Sequence, residues 1–335
     1  MKFTVIIPHY QVGQMTAYCL HQLFTYGGSQ LKIIVVNNSP ANHESLRFIA
    51  PFLKHITLLQ YPEHRTQSHG AAFDYALPYV DTDYFMTVET DSFPTDFKWI
   101  TWCDFIAKGG YHASGSFLHL SGGFYLHPAG AIYHTQTCLR ALADVAQWPY
   151  VYFPNAARAD GFDYHLMVHE RLAATFCQDP TAYITQLAPA YEPAALWAAA
   201  QRYRPLTGLF HCGMGNQHDS IKNYTERSFE TERNVVAAKS GNDVIYRVGY
   251  EPGQYYAYWL SRPEFKIMPV DTTTRWLPNR EGQQQEFTLT EHGFKHLWGI
   301  TAYHKCTAPE LQDIVEFKAR QLDELYASLP AECRI

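Results

Sequence analysis

The sequence predicts an α/β fold: a mostly parallel sheet flanked by helices, with an α+β extension toward the C-terminal end. Three observations point there. Over the first 110 residues, short apolar runs alternate with runs whose apolar residues fall at helical spacing, the pattern that builds strand–crossover–strand units. The polar residues able to do chemistry come directly after the apolar runs, where open α/β sheets bind ligands. After about residue 110 the alternation ends. Gly- and aromatic-rich segments follow, and past about 220 a more polar stretch with short strand-like pieces.

The strand candidates in the first part are FTVIIP (3–8), LKIIVVNN (31–38), HITLLQY (55–61) and YFMTVET (84–90). Between them, Gln14 to Tyr26 and Glu44 to Leu53 carry helically spaced apolar residues, and SHGAAFDYALPYV (68–80) supplies a third helix that must end near Pro78. The next segment, YHASGSFLHLSGGFYLHPAGAIYHT, leads to a mostly helical stretch expected from about Asp160 to Phe176. DVIYRVGY and QYYAYWL read as short strands. A last helix is expected over about 308–329, with Thr307 and Glu310 as a capping box, Pro309 in the first turn, and one apolar face of Leu311, Ile314, Val315, Leu322 and Leu325.

With 335 residues, 47% of them hydrophobic and 17% charged, the chain buries a full core. A formal charge of −6 without any basic run gives no footing for a nucleic-acid backbone, which is held by clustered Lys and Arg. The apolar run at the N-terminus is too short for a signal peptide and is broken by Pro8, and no segment reaches the roughly 20 apolar residues of a membrane helix. Seven cysteines without CxxC or zinc-finger spacing read as free thiols in a reducing compartment. The expected setting is cytoplasmic, with a peripheral place at a membrane left open.

FMTVETDSFP (85–94) carries the chemistry. Residues two apart on a strand face the same side, so Glu89 and Asp91 would share one small space, and like charges that close call for a shared proton or a bound cation. At the end of the fourth strand, a hard divalent ion could be held by these acids and by phosphate oxygens. The plain alternative is a solvated strand end or an Asp capping the next turn.

In the order VIIPHYQ, IIVVNNSP, SHGAAFDYAL and TDYFMTVETDSFP, the N-terminal half resembles glycosyltransferases of the GT-A (Rossmann-like) fold, above all family 2 of the nucleotide-sugar transferases. The likeness covers about residues 3–100 closely and 110–215 loosely. It implies that Pro8, His9 and Tyr10 line a base and ribose pocket, and that Asn37 or Asn38 bonds the base where the family usually has Asp; turn chemistry is the alternative for NNSP. Asp74, from the start of the third helix, would face the donor with His69, or only complement the helix dipole. Glu89, Thr90 and Asp91 stand where the family has D-x-D and would bind ribose and a divalent cation, Mn2+ or Mg2+. Asp91 is the preferred direct ligand, and His211 in LFHCGMGN is the candidate third ligand from a closing loop; its imidazole suits Mn2+ better. Asp160 is the candidate catalytic base, with Asp163 three residues on, though Asp160 also fits an N-cap. His165 and His169 with Glu170 lack the order of a zinc protease. SGGFYLHP (121–128) is read as a floor beneath the donor sugar, and Trp99, Trp102 and Trp148 either stack on sugars or pack.

The expected organisation is a GT-A glycosyltransferase domain over 1–220, with a nucleotide-binding half to about 110 and an acceptor half beyond it, then an extension over 221–335. The expected reaction moves a sugar from a nucleoside diphosphate donor, UDP-linked for preference, to a glycan or other hydroxyl acceptor with inversion. The C-terminal extension either shapes the acceptor site or serves self-association. A non-catalytic relative that binds nucleotide-sugar or glycan is the rival, and a nucleotidyltransferase, which would want a Gly-rich basic loop after the first strand, is a weaker one.

Overall fold

The computed structural model describes residues 2–61, 69–120, 123–145, 151–154, 163–166, 235–240, 243–248, 264–279, 282–297, 300 and 312–335. The elements come in this order: β1 (Phe3–His9), α1 (Gly13–Gly27), β2 (Leu31–Asn37), β3 (Thr57–Gln60), α2 (His69–Ala76), β4 (Tyr84–Thr87), β5 (Ser92–Pro94), α3 (Lys98–Lys108), β6 (Ala113–Gly115), β7 (Phe117–Leu120), β8 (Gly123–Leu126), β9 (Ala131–His134), α4 (Thr135–Val145), β10 (Val151–Pro154), β11 (Asp163–Leu166), β12 (Val235–Ser240), β13 (Asp243–Val248), β14 (Ile267–Pro269), β15 (Thr272–Asn279), β16 (Gly282–Thr290), β17 (Phe294–His296) and α5 (Gln312–Ala327).

Seven strands form the main sheet in the order β14-β6-β9-β4-β1-β2-β3. β1 runs parallel to both β2 and β4, β2 runs parallel to β3, and only β9 is reversed, being antiparallel to β4 and β6. The order follows from burial. Every residue of FTVIIPH in β1 is buried, as suits a central strand covered on both faces, whereas β3 at the edge is short and mostly exposed. Against the sheet, α1 buries Met15, Cys19, Leu20 and Leu23, and α3 buries Trp99, Cys103 and Ile106. These join Phe3, Val5, Ile7, Val35 and Met86 in one core with Phe294, Leu297, Leu322 and Leu329 from the C-terminal end.

The expected parallel α/β half is therefore present, with three differences. Glu44–His55 is a 3-10 helix, because Pro51 inside it offers no N–H to an α-helical ladder. β4 ends at Thr87, earlier than the run of apolar residues, because Glu89 to Ser92 close a turn in which Ser92 N–H donates to Glu89 C=O at 2.9 Å. Residues 163–166, expected to be helical, instead pair antiparallel with 151–154. The third expected helix ends as anticipated, passing into a 3-10 turn at Leu77–Tyr79 that contains Pro78. DVIYRV forms β13, and α5 lies within the expected last helix; the proposed caps at 307–310 and QYYAYWL fall outside the described residues.

Residues after 264 are built into the same body. β14 extends the main sheet beside β6. A second sheet, in the order β15-β16-β17-β5, joins the C-terminal hairpin to the short strand that follows the acid pair. Its turn depends on Gly293, at φ +84°, where an added Cβ would meet Asp96 Oδ1 at 2.6 Å. The Gly293 carbonyl accepts from the Thr95 N–H at 2.8 Å and from the Thr95 hydroxyl at 3.0 Å, locking the hairpin to β5.

Candidate functional site

The loops that leave the carboxyl ends of β1, β2 and β4 lie side by side, the place where a parallel sheet presents ligand groups. The first two are tied together from within. Asn38 N–H donates to the His9 carbonyl at 2.8 Å, and Gln11 N–H donates to Ser39 Oγ at 2.9 Å. Gln11 is held at φ +57°, a left-handed conformation that costs a non-glycine residue roughly 1 kcal/mol and persists only where neighbours impose it.

His9 is fully buried, and its ring faces the core rather than a pocket. The Thr16 hydroxyl donates to the Val12 carbonyl, so His9 Nδ1 donates to Thr16 at 2.8 Å and Nε2 accepts from Ser45 Oγ at 2.9 Å. Burial, reinforced by the neighbouring His43, lowers its pKa to about 4, which keeps the ring neutral. Both nitrogens are thus used inside the fold, and the expected contact of this ring with a base is replaced by a structural role. Asn37 is similar. Its Oδ1 accepts from Ser39 N–H at 3.0 Å, and its amide donates to the Ser39 carbonyl at 3.1 Å and to Gln60 at 2.6 Å, which is turn chemistry. Pro8 is buried in β1, Tyr10 is half-buried beyond it, and Asn38 is buried. Asp74 lies on α2.

The third loop is where acids and imidazoles meet. Glu89 and Asp91 are brought together by the turn after β4 rather than by a shared strand face. Antiparallel pairing of β17 with β5 sets His296 opposite Ser92. His296 Nε2 then lies 3.3 Å from Glu89 Oε2 and 3.5 Å from Asp91 Oδ1. Leu297 N–H donates to the Asp91 carbonyl at 2.8 Å and fixes the register. His127 enters from the segment between β8 and β9, its Nδ1 at 3.9 Å from Glu89 Oε2 and accepting from Ala129 N–H at 3.2 Å. The two imidazole rings are 4.9 Å apart, centre to centre. Asp91, Thr90, His127 and His296 are all buried, and the Glu89 side chain is 18% exposed. Burial alone would lower the pKa of His296; its hydrogen bond with Asp91 and the charges of Asp91 and Glu89 outweigh that and raise it.

One ligand atom from each of Glu89, His127 and His296 lies within 4.8 Å of the others. A cation with bonds of about 2.1 Å draws its ligands to roughly 3–4 Å of one another, so these groups fit an ion after a small closure. Two nitrogens and a carboxylate suit Mn2+ better than Mg2+, which prefers an all-oxygen octahedron. Asp91 Oδ1 lies 3.5 Å from the same His296 nitrogen that Glu89 approaches, so its carboxylate stands beside the three groups rather than behind the ring. Nothing in the sequence flagged His296, because its place depends on a strand pairing some 200 residues apart; His127 lay within a segment read as a sugar floor. Asp163 opens β11, while Asp160, His211, His169, Glu170 and Trp148 fall outside the described residues. Trp99 is buried edge-on to Phe294, and Trp102 stacks on His292, so both serve packing.

Among the described residues no helix is long and apolar enough to cross a membrane. Residues 4–126 match the family described as glycosyl transferase family 2. No curated protein matches the chain at a significant level. Among solved structures, S. aureus TarS is 15% identical over 42% of this chain and 30% of its own, with a TM-score of 0.35. The complex of TarS 1-349 with UDP-GlcNAc is 16% identical over 48% of this chain and 51% of its own, also at 0.35. The mannosyltransferase PcManGT from Pyrobaculum calidifontis, in complex with GDP-Man and Mn2+, is 14% identical over 62% of this chain and 70% of its own, again at 0.35. The chain thus spans about a third to a half of the TarS structures it matches, and at this TM-score the likenesses carry no argument. The family match does, over the residues it spans: residues 4–126 are similar to glycosyl transferase family 2, and they fold as the mostly parallel α/β sheet, with an acid pair beyond a central strand, that the GT-A fold requires.

Proposed function

We propose that the enzyme takes a sugar from a nucleoside diphosphate sugar, UDP-linked for preference, to a hydroxyl acceptor with inversion, and that a divalent cation at Glu89, His127 and His296 serves the donor. The observation that carries this reading is the convergence of one carboxylate and two buried imidazoles beyond β4, with Asp91 Oδ1 3.5 Å from the same His296 nitrogen. When bound, such a cation neutralises the diphosphate and the charge that develops on it as the sugar leaves. The protein's own groups do the rest. Glu89 and Thr90 lie at the loop where the donor ribose and diphosphate would rest, and Asp91, beside the same His296 nitrogen, is a further candidate ligand. In the tied loops after β1 and β2 the side chains of His9 and Asn37 are engaged within the fold, so base recognition is assigned in this reading to Tyr10, Asn38 and the loop amides.

Inversion requires a carboxylate to take the acceptor proton from the face opposite the nucleotide. Asp160 is the proposed base, with Asp163 beside it in sequence.

The test is calorimetric titration with UDP, GDP and dTDP, each with and without Mn2+, followed by the same titration of Asp91→Asn. We expect one nucleotide to bind in a Mn2+-dependent way and the variant to lose turnover. Absence of binding by all three, or full activity in the variant, overturns the reading. Donor binding without transfer or hydrolysis would favour the non-catalytic rival.

A further inference from the structure

Behind the acid pair lies a charge that the family match does not reach. Lys318 is on α5, in a helix whose Leu322, Leu325 and Tyr326 pack into the core beside α1, with Tyr326 edge-on to Phe48 at 5.4 Å. Its side chain is turned inward, leaving the residue only 1% exposed. A buried ammonium ordinarily demands a carboxylate or a full set of short hydrogen bonds. Lys318 has neither. Among the described residues its Nζ makes two long contacts, 3.4 Å to the Glu286 carbonyl and 3.5 Å to Gln321 Oε1, and no ion pair. The Glu286 side chain is committed elsewhere, to Arg275 Nε at 2.8 Å.

The geometry explains why so poorly satisfied a cation persists there. Glu286 is on β16, two residues before Thr288, which pairs with His296 on β17. The contact is to the backbone of β16 at the point where its pairing with β15 shifts register, just before the residues that pair with β17. Lys318 therefore reaches the same strand pair that delivers His296 to Glu89 and Asp91. Electrostatics agree with this placement: burial lowers the pKa of Lys318, Asp91 and Glu286 oppose that, and the Lys318 charge in turn bears on His296.

We propose that Lys318 is the fixed cation of the donor site, a positioning residue whose charge opposes the divalent ion when it binds alone and favours the diphosphate that follows. This rests on the transferase reading above. Its consequence is coupling. A site that already holds one buried positive charge takes a dication reluctantly, and a diphosphate removes the conflict, so cation and nucleotide load together; by linkage each raises the affinity for the other by the same factor.

The test compares the whole wild-type chain with Lys318→Met and Lys318→Arg. Removing a buried, unpaired ammonium for an apolar side chain of similar length is neutral or stabilising, so the Met variant should fold, as a thermal melt verifies. Mn2+ affinity is read first without nucleotide, then nucleotide affinity at saturating Mn2+. In Lys318→Met we expect Mn2+ alone to bind on the order of tenfold more tightly and the nucleotide on the order of tenfold more weakly. Lys318→Arg keeps the charge and stays near wild type. A merely structural lysine would move both affinities in the same direction or neither, and either result overturns the proposal, as does a wild-type chain that holds no Mn2+. Wild-type binding of Mn2+ without any nucleotide would sink the transferase reading instead, and the Mn2+ comparison would still judge Lys318.

Discussion

Two buried neutral histidines make the fold sensitive to acid, and the size of the effect follows from their surroundings. His9 is enclosed by Thr16 and Ser45, and His292 is buried against Trp102 with neither ring nitrogen hydrogen-bonded among the described residues. Burial lowers both pKa values from 6.5 to about 4, and the Asp96 charge opposes this only partly at His292. A histidine lowered on folding stabilises the native state above its unfolded pKa; below it, the unfolded chain takes up a proton that the native chain refuses. Between pH 8 and pH 5 each ring therefore loses about 2 kcal/mol of stability, or about 4 kcal/mol for the two together. His296 does not offset this. Its pKa is raised, so its contribution is fully present below pH 6.5 and fades only as pH rises through its folded value. The assay is urea unfolding at pH 8, 6.5 and 5, with His9→Gln beside the wild type. The variant is less stable at pH 8, but its loss from pH 8 to pH 5 should shrink by about 2 kcal/mol. Equal losses in the two proteins would refute the placement of His9 as a buried neutral ring.

Other perturbations read the site and its scaffold. His296→Ala removes an imidazole set between two acids and should weaken Mn2+ binding by roughly 100-fold or more, measured by calorimetry; a change under threefold would exclude His296 as a ligand. Gly293→Ala forces a Cβ onto Asp96 at a positive φ and should cost about 1–3 kcal/mol in thermal or urea unfolding, with Mn2+ affinity falling as the hairpin that carries His296 shifts. Unchanged stability there would mean that the turn is not what holds the hairpin.

Some of this architecture was legible in the sequence and some was not, for physical reasons. The parallel strands were readable because central strands covered on both faces become continuous apolar runs, as in FTVIIPH. The acid pair was readable because two carboxylates at the end of such a run are costly without a purpose. The interior role of His9 was not, since it depends on Ser45, a residue 36 positions away whose hydroxyl completes the cage. Asn37 permitted both base contact and turn chemistry, and Gln60 from β3 is what commits its amide. His296 was illegible because β17 is three residues long and has no periodicity to speak of; only its pairing with β5 gives it a meaning.

Residues 4–126 contain Glu89, Asp91 and five of the seven strands of the main sheet, and they end just before His127. Within that segment the two acids stand in one turn, each within reach of His296 from outside it. His127 lies one residue past the match, and His296 and Lys318 come from the far end of the chain. The same C-terminal stretch contributes β14 to the edge of the sheet and Leu322 to the core, so the residues that balance the acids also complete the fold. Loss of packing at α5 should therefore reach the acid pair through charge as well as through shape: a helix that moves away takes its ammonium with it, and frees the strand pair that holds His296.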